Sequence, residues 1–449
     1  MDNLDNGVKM EKIQFRGELS APGLWLAVKD YFCRQVSDPR SGNGNTEIPT
    51  PSVLMSACAM FALKFPSLLQ FDQQRIDPTI AHNLKSLFLV KQVPSDTHMR
   101  EIIDKIDPEE VAGALDLVFA KAQRGKVLEN YSVLDRGYLL SLDGTGYFDS
   151  QTTHCDSCCV KKKKDGTIGY YHFFLPAVIV HPEQRQVIPL GAEPILKQDG
   201  ATKNDCEFNA SQRLLKKIRQ NHPKLKLIVL ADSLHSKGPM VKTLLELDMN
   251  FIITAKEGDH QALFQQVRMY DRINDPGLVY VKVEEEKFHH QFRFKNNIWL
   301  NGSSDQKINF LEYWEHSVTG KTTHWAWVTR IEITKNNIMQ IMRAARARWK
   351  VENETFNTLK NQDYQFEHNF GHGYKHLSTN FALLMLLAFT IDQLQEHCCK
   401  AFQKAREVWH SRIALWEKMR GAFTFLMFSS WEDFFHRLIY KKQILYDTS

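Results

Sequence analysis

The sequence predicts an α/β protein: a mixed sheet flanked by helices, with a β-rich insertion and helical N- and C-terminal regions. Three patterns carry this. Residues 131–255 run as three strands followed by helix, strand, helix, strand. Residues 256–335 alternate apolar and polar side chains, as half-exposed antiparallel strands do. The chain reads as helical before residue 130 and from about 337 onward.

The elements follow in order. Residues 37–45 are a loop by composition. An apolar helix begins at Ser52 and passes Met60 and Leu63. After the break at Val93-Pro94, Ser95 or Asp96 is placed to cap a helix through Met99, Ile102 and Ile103. Helix pairs of this kind sometimes read DNA and more often simply pack, so 1–130 is a candidate DNA-binding region. In 131–255 strands are expected at 137–142, 170–181, 186–190, 225–231 and 250–255, with helices at 205–220 and 240–247. The insertion, 256–335, should hold strands at 278–284, 289–294, 307–314 and 323–331. Segment 336–400 would complete the core, with Ile338, Ile341, Met342, Ala345, Trp349, Phe356 and Leu359 on one helical face. The apolar run 381–391 is too short to span a bilayer and reads as a buried helix. Residues 401–449 form the helical C-terminal region.

A chain of 449 residues is long enough for two or three domains, and its composition, 43% hydrophobic and 24% charged, excludes a disordered class. The net charge of +5 permits a nucleic-acid partner without demanding one. Local clusters must carry that argument: Lys161 to Lys164, the run Arg343, Arg346 and Arg348, and the trio Lys216, Lys217 and Arg219. The eight cysteines show no regular framework, which favours reduced thiols in a cytosolic compartment. The first thirty residues lack an apolar signal core, so secretion is not expected.

Three carboxylates carry the chemistry. Asp143 ends the apolar run Tyr138-Leu139-Leu140-Ser141-Leu142, and Asp232 ends Leu227-Ile228-Val229-Leu230-Ala231. Strand ends are where open α/β sheets place their ligands. Taken singly, Asp143-Gly144 is also a common turn pair and Asp232 a helix cap. Glu352 continues the apolar helical face between Trp349 and Phe356, where a carboxylate needs a cation or an ion-pair partner. Arg348, one turn earlier, is the available partner. Glu354 points about 200° away around a helix, so only one of the two acids can face a shared pocket.

In order and context these residues resemble the DDE transposases of bacterial insertion sequences, which have an RNase H-like catalytic fold. The match is to the cut-and-paste group with a β-strand insertion between the second Asp and the Glu, the insertion-sequence-four type. It rests on Ser141-Leu142-Asp143-Gly144-Thr145, Leu230-Ala231-Asp232-Ser233 and Arg348-Trp349-Lys350-Val351-Glu352. The group's signature is Tyr, Arg three later, Glu four after that, and Lys seven further on. Arg348 and Glu352 fit it, whereas Ala345 and Leu359 occupy the Tyr and Lys positions, with Lys360 next door. The resemblance implies that Asp143, Asp232 and Glu352 are the catalytic residues and hold two Mg²⁺ ions, with Mn²⁺ able to substitute. It implies cleavage at transposon ends and strand transfer into target DNA. It also implies double-stranded DNA as partner (terminal inverted repeats and target), a homodimer in the synaptic complex, no membrane, and a bacterial cytoplasmic, nucleoid-associated location. A domesticated, non-catalytic DNA-binding protein and a metal-dependent nuclease without strand transfer are the alternatives.

Other residues are candidates for DNA or phosphate contact. Arg348 and, less directly, Lys360 stand one to two turns from the metal site. Trp299, in the insertion, is suited to stacking on a displaced base, although a Trp at a strand end is commonly core. Lys161, Lys162 and Lys163 either track a DNA backbone or form a solvated hairpin tip before Asp165-Gly166. Cys155 and Cys158 have the spacing of zinc ligands, and with His172 and Cys206 they would complete a tetrahedron. His368, His372 and His376 recur every four residues, but Gly371 and Gly373 make this a loop rather than a metal-binding helix face.

Overall fold

The computed structural model describes residues 17–40, 47–197, 204–301 and 306–444. Residues 1–16, and residues 41–45 of the expected loop, lie outside the described residues. Twelve strands among the described residues join in one sheet. They are β1 (Ser132–Val133), β2 (Gly137–Leu142), β3 (Thr145–Ser150), β4 (Cys159–Lys162), β5 (Ile168–Val180), β6 (Ile188–Ile195), β7 (Leu227–Ala231) and β8 (Asn250–Thr254). The insertion adds β9 (Leu278–Glu284), β10 (Phe288–Trp299), β11 (Lys307–Ser317) and β12 (Thr322–Thr329).

The core follows from which strands are apolar on both faces. All five residues of β7 are buried, as a strand covered on both sides requires. β7 pairs in parallel with β2 on one side and β8 on the other. β5 lies antiparallel to β2 and to β6. The resulting order, β6-β5-β2-β7-β8, is the RNase H-like arrangement, with the first core strand at the centre. The helix Glu207–Asn221 packs Leu214, Leu215 and Ile218 against β5 and β6.

Among the described residues the insertion extends the same sheet. β12 pairs antiparallel with β8, and β11, β10 and β9 continue as a meander. Phe292, Tyr313 and Trp325 stack on one face of it. One element departs from expectation: Gln261–Arg272 is a helix, burying Leu263, Phe264 and Val267. That three-and-four spacing outweighs the alternating pattern around it.

The two ends of the chain cover the core together. The helix Leu377–Cys398 is long and apolar enough to cross a membrane by length and composition, yet it is almost wholly buried within the protein. It packs against Thr50–Ala62 and Pro108–Arg124. Its N-terminus is fixed by Asp104, whose carboxylate accepts the backbone N–H groups of Tyr374, Lys375, His376 and Leu377 at 3.0–3.2 Å. The helix Asp96–Ile103 is capped by Ser95 and buries Met99, Ile102 and Ile103. Its apolar face is therefore spent on the core.

Candidate active site

Asp143 and Gly144 interrupt one long hairpin. β2 and the start of β3 pair with β5 in one register, Leu142 opposite Ala177 and Thr145 opposite Phe174, and the register shifts by one only after Gly146. Asp143 therefore falls opposite Pro176, which has no N–H to give a ladder. The strand frays at this point, and the Asp143 carboxylate leaves the sheet while the chain continues; the pair is not a reversing turn. Gly144 lets the Glu207 carboxyl approach closely: a Cβ there would lie 2.6 Å from it and would push that side chain aside.

Asp232 follows β7. Because Ser141 is opposite Leu230 across the parallel pair, Asp143 and Asp232 emerge side by side, one strand spacing apart. Asp232 Oδ1 accepts the Leu234 N–H (3.0 Å) and the Nδ1–H of buried His235 (2.9 Å), so it both caps the short helix Ser233–His235 and is held in one orientation.

The Glu352 segment is not the uninterrupted α-helix that its periodicity predicts. An α-helix (Ile338–Arg346) passes through a 3₁₀ turn (Ala347–Trp349) into a π-helical stretch, Val351–Phe356, before α-geometry returns at Asn357–Asn361. π turns are rare and concentrate at functional sites. The change of pitch breaks the predicted stripe: Trp349 is 48% exposed. The Glu352 side chain is 39% exposed rather than sunk in the core, and Glu354 lies on another side beside Arg185 (3.6 Å) and Arg412 (4.0 Å). Ser141 Oγ donates to the Arg348 carbonyl at 3.0 Å and pins this segment to the centre of the sheet.

The three acids therefore share one end of the sheet. Arg348 Nη1 lies 3.2 Å from Asp143 Oδ2 and 3.7 Å from Glu352 Oε1. Burial, then the Glu352 carboxyl within hydrogen-bond reach, pushes the Asp143 carboxyl up to about 6, against the pull of Arg348. Burial also opposes the charge on Asp232, but the His235 hydrogen bond and charge, the Leu234 N–H and Arg348 hold it below the ordinary carboxylate value. A fourth acid joins them. Glu207, at the start of its helix, is raised by burial and by the charges of Asp143 and Asp232. Sequence reasoning missed it, although an acidic residue in a first helical turn beside Asp205 was a usable signal. Hard oxygen donors crowded around a single arginine suit Mg²⁺.

The matching family is the transposase DDE domain, over residues 144–390, more than half of the chain. The chain belongs to this family. No curated protein matches it. The transposase thus belongs to a family of metal-dependent enzymes that act on DNA. The match begins at the residue after Asp143 and runs through the long buried helix.

The other predicted residues separate. Arg348 is nearly buried against the acids and beneath the Trp349 ring, its Cζ 4.4 Å from the ring centre. Lys360 pairs with Glu367 at 2.7 Å. Trp299 ends β10 and is 41% exposed, with Lys307 Nζ 4.8 Å from its ring centre. Lys161 and Lys162 end β4, opposite Gly169 and Ile168, and Lys163 opens the turn into β5; Lys161 is paired to Asp149. Two basic clusters are largely used internally. Arg343 and Arg346 pair with Glu285 and Glu315, Lys217 with Glu109 and Glu193, and Arg219 donates to the carbonyls of Leu225 and Leu247.

The cysteine set needs one correction. Cys155, Cys158 and His172 do come together, but Cys206 is exposed at the start of the helix Glu207–Asn221 and is not in the group. Asp205 takes the inward direction at that point, paired to Arg213 at 2.5 Å. The fourth member is His372, although its neighbours Gly371 and Gly373 predict a loop without a ligand role.

Proposed function

We propose that this transposase cuts DNA at the ends of its mobile element and joins the freed 3′-hydroxyl to target DNA, at a site made by Asp143, Asp232 and Glu352. The reading rests on the convergence of two strand ends and the π-helical segment on one acidic cleft. Divalent cations bound there would supply Lewis acidity and an activated water. The protein's own contributions follow from its contacts. His235 orients Asp232, Ser141 holds the Glu352 segment against β2, and Arg348 balances the acids until cations replace it. A π turn holds about one residue more than an α turn, so Lys360, rather than Leu359, returns to the side of Glu352. This supports a phosphate contact by Lys360, after release from Glu367.

The test is an assay with end-labelled terminal-repeat duplexes in Mg²⁺, scored separately for nicked and joined products. The proposal expects both. Nicking without joining would favour the nuclease alternative, and neither product would favour a non-catalytic DNA-binding protein. Glu352→Gln should lose both products, whereas Glu354→Gln, on the other side of the helix, should keep them. Trp299→Ala should reduce end processing by roughly 10- to 100-fold, since stacking on a base is worth about 1–3 kcal/mol. Unchanged processing of ends by this variant, in the same assay, would remove Trp299 from the DNA interface.

A further inference from the structure

We infer that Cys155, Cys158, His172 and His372 form a closed structural zinc site, separate from the acidic cleft. Their ligand atoms all lie within 4.8 Å of one another. Five of the six spacings match the edges of a tetrahedron around a metal to within about 0.3 Å. With zinc–sulfur bonds of ~2.3 Å and zinc–nitrogen bonds of ~2.0–2.1 Å, its edges are ~3.8 Å for S–S, ~3.6 Å for S–N and ~3.3 Å for N–N. The two sulfurs are 3.8 Å apart, and the two Nε2 atoms are 3.1 Å apart. The sulfur–nitrogen pairs Cys155–His172, Cys158–His172 and Cys158–His372 are 3.6, 3.3 and 3.3 Å apart.

The surroundings fit such a site. His372 Nδ1 donates to the Gly373 carbonyl at 2.9 Å, which leaves its Nε2 as a lone pair facing the centre, the usual outer contact of a metal-bound histidine. The His172 ring lies nearly parallel to Tyr147, 5.8 Å between centroids, and Phe148 sits 4.4 Å from the His372 ring. Cys158, His172 and His372 are buried, so four protein ligands fill the coordination sphere and leave no open position for substrate. Thiolate and imidazole suit zinc, whereas the carboxylates of the acidic cleft suit Mg²⁺.

The site ties three separate segments. The loop after β3 supplies both cysteines, β5 supplies His172, and the chain between the Glu352 segment and the long buried helix supplies His372. Zinc would therefore fix the downstream end of the Glu352 segment relative to the hairpin that carries Asp143. This inference stands independently of the proposed function.

The experiment is elemental analysis of the full chain purified without chelators, together with the absorption spectrum after cobalt exchange. Stoichiometric zinc and a tetrahedral, thiolate-coordinated cobalt spectrum are expected. His372→Ala and Cys155→Ser should lose the metal, and Cys206→Ser should keep it in full. Absence of zinc together with no tetrahedral cobalt spectrum in the parent protein overturns the inference without relying on any variant. So does metal retained by His372→Ala but lost from Cys206→Ser. DNA cleavage is not the readout, so failure of the transposase proposal would leave this result unaffected.

Discussion

Asp143→Asn should reduce DNA cleavage by about 10³-fold or more while leaving the fold intact. The substitution keeps the side-chain volume and removes one anionic oxygen from the acidic cleft. Metal assistance is worth several kcal/mol, and each 1.36 kcal/mol is tenfold in rate. The stability expectation has a definite sign. The folded chain holds the Asp143 proton up to about 6, above the ordinary 3.8. It therefore binds more protons than the unfolded chain between those values, and this group's contribution to stability falls as pH rises through that window. At neutral pH a neutral Asn relieves the crowding with Glu352 and Glu207, so the melting temperature should hold or rise. A variant that cleaves in Mg²⁺ within tenfold of the parent would remove Asp143 from the chemistry.

The second large effect is on stability. Lys64 is fully buried and ion-paired with Asp392 of the long helix. Its ammonium also donates to the Ala62 carbonyl at 2.8 Å and lies 3.9 Å from the Trp416 ring centre. Asp392 in turn accepts from the Tyr364 hydroxyl at 2.5 Å. Burial lowers the Lys64 pKa and raises that of Asp392, so each group depends on the other to remain charged. Asp392→Ala strands the lysine and should cost about 3–5 kcal/mol in denaturant unfolding. The double variant Lys64→Met/Asp392→Leu should recover most of it, because a packed apolar pair needs no desolvation. If the double variant is as unstable as Asp392→Ala alone, the loss comes from packing and not from the unpaired charge.

Much of the fold was legible because its core strands are apolar on both faces. β2, β7 and β8 appear in the sequence as short unbroken runs, and the acids at the ends of the first two follow directly. The insertion strands appear through their alternation, since one face is solvated. β3 and β4 did not, because Thr145–Ser150 has only Tyr147 and Phe148 between polar or small ends and Cys159–Lys162 ends in lysines. The position of Glu352 beside Asp143 and Arg348 was reached by a partly incorrect route. Periodicity assumed one α-helix, but the 3₁₀ and π turns rotate Trp349 outward and place the acid at a cleft. Pitch changes of this kind depend on tertiary contacts, such as Ser141 holding the Arg348 carbonyl, that no local pattern encodes. His372 was missed for a related reason. It lies 200 residues from His172, and its glycine neighbours, read as marks of a loop, are what let the chain turn into the cluster. The ion pairs of Arg343, Arg346 and Lys217 with Glu285, Glu315 and Glu193 were not legible either, because the partners lie far away in the sequence.

In the proposed function the ends of β2 and β7 and the π-helical segment share a divalent-cation site. The most direct test replaces Mg²⁺ with Fe²⁺ in the purified transposase, adds ascorbate and peroxide, and maps where the backbone is cut by locally generated hydroxyl radicals. Cuts should cluster around residues 143, 232 and 352, be suppressed by excess Mg²⁺ and be lost in Asp143→Asn. Cuts confined to one of these segments, or a pattern indifferent to Mg²⁺, would contradict a shared site.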